Sequence, residues 1–101
     1  MVVDELLKNC EGFDWDKGNE TKNWQAHAVK KTEAEQVFFN HPLLVFDTYV
    51  LNEEKRFLAL GVTNEGRFLT VIFTIRKKKL IRVISVRDMS RKERKAYEDK
   101  N

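Results

Sequence analysis

Between Leu43 and Arg87 the chain falls into four segments rich in branched and aromatic residues, each cut from the next by a few polar ones. Leu43 to Val50 is followed by Asn52-Glu53-Glu54, and Arg56 to Val62 by Thr63-Asn64-Glu65-Gly66. Arg67 to Arg76 is followed by Lys77-Lys78-Lys79 and then by Leu80 to Arg87. Turns this short join consecutive strands antiparallel, because a parallel return needs a crossover of a dozen or more residues. Before Arg67, Gly66 supplies the positive φ that a side chain disfavours. The spacing therefore predicts a four-stranded antiparallel meander, and 101 residues leave room for one core around it.

Helical signals flank this region. Asp16 to Val29 reads as a helix capped by Asp16, with Thr21, Trp24 and Ala28 on one stripe. Thr32-Glu33-Ala34-Glu35 has the form of a capping box, and the helix after it puts Ala34, Val37 and Phe38 on one face. Pro42 ends that helix, since the residue before a proline avoids helical dihedrals. Ser90-Arg91-Lys92-Glu93 is a second capping box and opens a last helix that runs to about Tyr97. Residues 1–12 read as a loosely specified leader. The expected class is α+β in a single domain: two N-terminal helices, a four-stranded antiparallel meander sheet and a short C-terminal helix. Helices cover one sheet face and leave the other to solvent or a partner.

Several functions are poor fits. No run approaches the roughly 20 apolar residues of a membrane span, and the acidic start lacks the basic region of a secretory signal. A lone cysteine, Cys10, forms no intrachain disulfide and fits a reducing cytoplasm. Cys10 with His27 and His41 makes no zinc set, and four scattered glycines make no phosphate loop. No metal and no cofactor are expected.

Charge is more informative. The formal net charge is +3, but residues 1–75 sum to −4 and residues 76–101 to +7. Side chains alternate along a strand. In the third strand Leu69, Val71, Phe73 and Ile75 form the better core face, which sends Arg76 to the open side. In the fourth, Ile81, Val83, Ser85 and Arg87 share one face and Leu80, Arg82, Ile84 and Val86 the other. Each set holds an arginine, so alternation does not say which faces out. Arg56 lies with Leu58 and Leu60. Guanidinium groups stay charged and grip phosphate as a fork, so several on one face beside a cationic helix suit a polyanion. The competing reading is a solvated basic rim. His27 and one of Glu53 and Glu54 are the candidate proton shuttles, against a helix-end histidine on the surface or under Trp24 and solvated loop carboxylates. Tyr97 either stacks on a base or packs the last helix on the sheet. His41 reads as structural. Ser85 has no His/Asp partner at a motif spacing.

Phe13-Asp14-Trp15-Asp16 with Lys17, then Asn23 and His27-Ala28-Val29, resembles the start of the BrnT family of toxins. The family runs F-x-W-D-x-x-K, N-x-x-K-H-G-V and V-F-x-D-P. At the last of these the chain has Val37-Phe38-Phe39-Asn40-His41-Pro42. Arg82-Val83-Ile84-Ser85-Val86-Arg87, with Ser90, Glu93-Arg94 and Tyr97, resembles the I-R-I-I-S-A-R…E-R-x-x-Y signature. Thr74-Ile75-Arg76 resembles T-E-R, and Arg56, Gly61 and Gly66 fall where the family has R, G and G. The resemblance covers residues 13–98. Ala26 stands in place of a Lys, Ala28 in place of a Gly and Ile75 in place of an acid.

The resemblance implies a RelE-like fold and the toxin role of a type II toxin–antitoxin system. It implies a cytoplasmic, metal-independent endoribonuclease that inhibits translation. The implied partners are RNA and a BrnA-like ribbon-helix-helix antitoxin that neutralises it, with DNA reached only through the antitoxin. Arg76 and Arg87 match the family's important arginines, with His27, Glu54 and Arg82 behind them. Attack by the ribose 2′-OH on the adjacent phosphate needs no protein nucleophile. It needs a base, a donor to the leaving oxygen, and cations for the phosphorane. Arg76 and Arg87 stabilise phosphate in this scheme, His27 or Glu54 moves the proton, and Arg82, Arg56 and Tyr97 bind substrate. The alternative is a catalytically weak or inactive module of the same fold that binds RNA or antitoxin and acts as a corepressor. Direct DNA binding by the Ser90–Tyr97 helix fits poorly, since no second helix completes a helix-turn-helix.

Overall fold

The computed structural model describes residues 10–45, 50–51, 54–76 and 79–100. In chain order the elements are β1 (Gly12–Asp14), α1 (Lys17–His27), α2 (Lys31–Phe39), β2 (Leu43–Val45), β3 (Val50–Leu51) and β4 (Glu54–Lys55). They are followed by β5 (Phe57–Val62), β6 (Phe68–Arg76), β7 (Leu80–Asp88) and α3 (Arg91–Asp99). The α+β class and the three helices hold. The sheet is a correction: it has five strands in the order β1-β7-β6-β5-β2 and is mixed, since β1 runs parallel to β7. The extra strand starts at Gly12, the last residue of the expected leader, and continues past it to Asp14. Of the first expected strand, Leu43 to Val50, Leu43–Val45 forms the edge strand β2, residues 46–49 lie outside the described residues, and Val50–Leu51 pairs with Glu54–Lys55 in a separate two-stranded ribbon. The expected turn at Asn52-Glu53 and the Lys77-Lys78 part of the next turn lie outside the described residues.

The core is the face predicted from alternation. Leu69, Val71 and Phe73 of β6 are fully buried, with Ile75 packed at the margin. Ala34, Val37 and Phe38 of α2 meet them, and the Phe38 and Phe73 rings stand edge to face at 5.0 Å. The close approach of α2 depends on Gly61, where a Cβ would lie 2.8 Å from Val37 Cγ1.

Two helix details differ from expectation. On α1 the residue turned inward is Asn23, 2% exposed, while Trp24 stays 53% exposed. Polarity misleads here because the asparagine has a backbone group to satisfy (below). The box expected at Thr32 and Glu35 sits two residues earlier. Lys30 N–H donates to Glu33 at 3.0 Å, and Glu35 instead accepts from Trp15 Nε1 at 2.8 Å. The Ser90–Glu93 box forms in both directions, at 3.1 and 2.9 Å.

The second sheet face is not left open along its length. Thr70 and Leu60 on that face are buried. α3 packs over this end, with Tyr97 buried against Phe68 at 6.0 Å and Arg94 stacked on the Phe68 ring at 4.1 Å.

Candidate functional site

Strict alternation would send Arg82 and Arg87 to opposite faces. The structure resolves this with a β-bulge. Ile72 pairs with Ser85 and Phe73 with Val83, so Ile84 is the extra residue. An inserted residue inverts the parity of everything beyond it. Ile81, Val83 and Val86 therefore all reach the core. Arg82 and Arg87 both fall on the opposite face, across from Thr74 and Thr70. Arg76 shares that face by alternation and is exposed at the end of β6. Three of the five arginines of the basic last quarter, Arg76, Arg82 and Arg87, thus lie on one face.

They differ in how they are held. Arg87 Nη1 and Nη2 donate to the two Glu93 oxygens at 2.7 and 2.8 Å, and Nη1 also donates to the Asp88 carbonyl at 3.2 Å. Thr70 Oγ1 donates to the same Glu93 at 2.9 Å. Hydrogen bonds from Arg87, Ser90 and Thr70 lower the Glu93 pKa to about 2, against some burial. The same pair raises the pKa of Arg87. Glu93 occupies only the end-on edge of the guanidinium. The side-on edge, Nε–H with the second Nη2–H, carries no partner among the described residues. That is one fork for a phosphate or carboxylate.

Arg82 is bound to β1. Its Nη2 donates to Asp16, and Asp14 lies 3.6 Å from Nη1. Asp14 is directly across the parallel pair from Arg82, so the unforeseen first strand supplies part of its support. Arg56 precedes β5 and is half-buried, with an Nε that has no hydrogen-bond partner among the described residues. Thr74 Oγ1 donates to the Lys55 carbonyl at 2.7 Å, which ties the β4 backbone, and hence Glu54, to the arginine-bearing face. The Glu54 side chain lies outside the described residues.

His27 is not brought to this surface. It is exposed at the C-terminus of α1, and its carbonyl accepts from Arg67 at 3.0 Å. Arg67 bonds Asp88 on the helix-covered side of β7, where Asp88 pairs with the buried Leu69. The expected grouping of His27 with the three arginines is therefore not assembled. Tyr97, expected near substrate, packs α3 on the sheet.

Arg67 is the residue that the sequence reading missed. All five of its N–H groups are used: two on Asp88, one each on the His27 and Ala28 carbonyls, and one on Glu33. It closes the end of α1 onto α2 and β7. Its place at a strand start gave no signal, because every partner is distant in sequence. Arg67 and Arg87 are both paired with an acid, but Arg67 has every N–H engaged, while the side-on edge of Arg87 has no partner among the described residues.

Among the described residues no group of three or more His, Cys, Asp or Glu could hold a metal ion. No described helix is long and apolar enough to cross a membrane.

A family model described as "Ribonuclease toxin, BrnT, of type II toxin-antitoxin system" matches residues 15–93. A solved structure similar in fold is the Brucella abortus ribonuclease toxin BrnT, with a TM-score of 0.57 and 21% identity. The match covers 79% of this chain and 97% of that one. No curated protein sequence matches the chain.

Proposed function

Because the chain belongs to the BrnT family of ribonuclease toxins of type II toxin–antitoxin systems, we propose that it is a metal-independent endoribonuclease acting on RNA at the Arg76–Arg82–Arg87 face. The observation that carries this is the side-on edge of Arg87, which has no partner among the described residues and sits on a guanidinium held by two hydrogen bonds to Glu93. A rigid donor pair aimed where charge develops contributes most in the transition state, since it costs little reorganisation.

The reaction is an in-line attack of a ribose 2′-oxygen on the adjacent phosphorus. The bond from phosphorus to the 5′-oxygen breaks and a 2′,3′-cyclic phosphate remains. Arg87 Nε–H and Nη2–H bind non-bridging oxygens, while Arg76 and Arg82 offset the added charge. The 2′-OH proton goes to an acceptor and the leaving oxygen takes one from a donor. Of the two acceptors read from the sequence, Glu54 lies on a strand joined to this face through Thr74, and His27 does not. Glu93 stays ionised and anchors Arg87. With its pKa held at about 2, it is a weak base at neutral pH. Arg56 belongs to the substrate contacts.

We place the protein in the cytoplasm, where RNA cleavage inhibits translation. A ribbon-helix-helix, BrnA-like antitoxin neutralises it and carries the contacts to DNA. The second reading, a corepressor module without cleavage, draws on Ala26 and Ile75. Ile75 packs at the core margin, where the family's acid would be poorly solvated.

The test is purified protein incubated with RNA and a chelator of divalent cations. Cleavage to cyclic phosphate ends is expected. RNA left intact at protein excess selects the corepressor module.

A further inference from the structure

We infer that Asn23 is a positioning residue that holds the β7 bulge and, through it, Arg87. The inference rests on the reading of Arg87 as the hydrogen-bond donor to the phosphate.

β1 pairs with β7 only as far as Asp14 opposite Arg82. Beyond that point no described strand borders this edge of β7, and the bulge follows at Ile84. A bulged strand at a sheet border is where register is weakest. α1 lies against this stretch, and Asn23 Oδ1 accepts from Val86 N–H at 3.2 Å. The bond is buried, and Asn23 is 2% exposed. It stands in for a ladder partner at Val86, four residues past Arg82, where β1 has already ended. The fixed N–H belongs to the Ser85–Val86 peptide, between the bulge at Ile84 and Arg87, so it holds the strand one residue before the arginine leaves it.

The side chain has no second role among the described residues, because its Nδ2 is buried without a hydrogen-bond partner. A buried amide with one group unsatisfied is costly, and an apolar residue would pack there more readily. What the site uses is the acceptor oxygen. The orientation of the amide is fixed, since only oxygen accepts from an N–H.

The experiment compares wild type with Asn23→Leu, which removes the acceptor at similar volume, and Asn23→Asp, which keeps an acceptor oxygen. Three quantities are read: hydrogen exchange at the Val86 amide, the NMR position of Arg87 Nε–H, and single-turnover cleavage with its substrate dependence. Asn23→Leu is expected to speed Val86 exchange about tenfold or more and to shift the Arg87 signal. It is expected to lower the cleavage rate about tenfold with KM within about threefold. Asn23→Asp is expected to stay near wild type in all three. Wild-type cleavage by folded Asn23→Leu overturns the inference, and so does an Arg87 signal that does not move. If Asn23→Leu does not fold, Asn23→Asp decides alone. Kept protection, Arg87 signal and cleavage support the role, and their loss overturns it. If wild type leaves RNA intact, the ribonuclease reading fails by itself, while the Val86 and Arg87 signals still decide the positioning.

Discussion

Arg87 and Glu93 meet through two parallel hydrogen bonds of 2.7 and 2.8 Å, six residues apart across the turn from β7 into α3. The contact joins a helix cap to the arginine proposed to bind phosphate, because the same Glu93 accepts from Ser90 N–H. Its pH dependence has a definite sign. Glu93 sits at about 2 when folded and at 4.5 ordinarily. A depressed carboxylate stabilises the fold fully above its ordinary pKa and loses that contribution as pH falls through the folded value. With solvent screening the contribution is about 1 kcal/mol. Melting temperatures taken from pH 6 to pH 2 are expected to fall more steeply for wild type than for Glu93→Gln. Parallel slopes would show that the pair adds nothing.

Arg67 is expected to be the most costly surface-linked arginine to remove. Arg67→Ala strands the His27 and Ala28 carbonyls and leaves Asp88 without its main partner. The expected loss is about 2–3 kcal/mol in urea unfolding, against under about 1 kcal/mol for Arg94→Ala, whose ion pair with Glu98 is exposed. Equal losses would count against the clamp.

Gly61→Ala tests the core. A Cβ 2.8 Å from Val37 Cγ1 forces α2 off β5, with an expected cost of about 1–3 kcal/mol. Val37→Ala should recover part of it, since the two sites share one contact. A wild-type midpoint for Gly61→Ala would contradict the packing described above.

The positions of His27 and Glu54 predict different kinetics. His27→Ala is expected to keep RNA cleavage within about threefold of wild type. Glu54→Gln is expected to lower it about a hundredfold, the usual scale for removing a general base. The reverse order would move the proton acceptor to the α1 end of the molecule.

Much of this was legible in the chain. The α2 face, the β6 core face and the Ser90–Glu93 box follow from local periodicity and capping chemistry, and each is found as expected. What failed has a long-range cause. Gly12–Asp14 is too short to read as a strand and exists because the β7 edge needs a partner. The bulge at Ile84 has no signature in Arg-Val-Ile-Ser-Val-Arg, yet it alone puts Arg82 and Arg87 on one face. Asn23 looks like a surface residue until Val86 N–H is placed beside it. Within the basic last quarter Arg82, Arg87 and Arg94 are each paired with an acid, and in Arg87 the pairing is a two-bond fork that leaves the side-on edge without a partner among the described residues.

The most direct measurement is single-turnover RNA cleavage by Arg87→Lys beside wild type, in chelator, with melting temperatures taken in parallel. Lysine keeps a charge facing Glu93 but has no side-on fork. The expected result is a nearly unchanged melting temperature and a cleavage rate lower by about tenfold to a thousandfold. Cleavage at the wild-type rate by folded Arg87→Lys would contradict the assignment of the phosphate to Arg87.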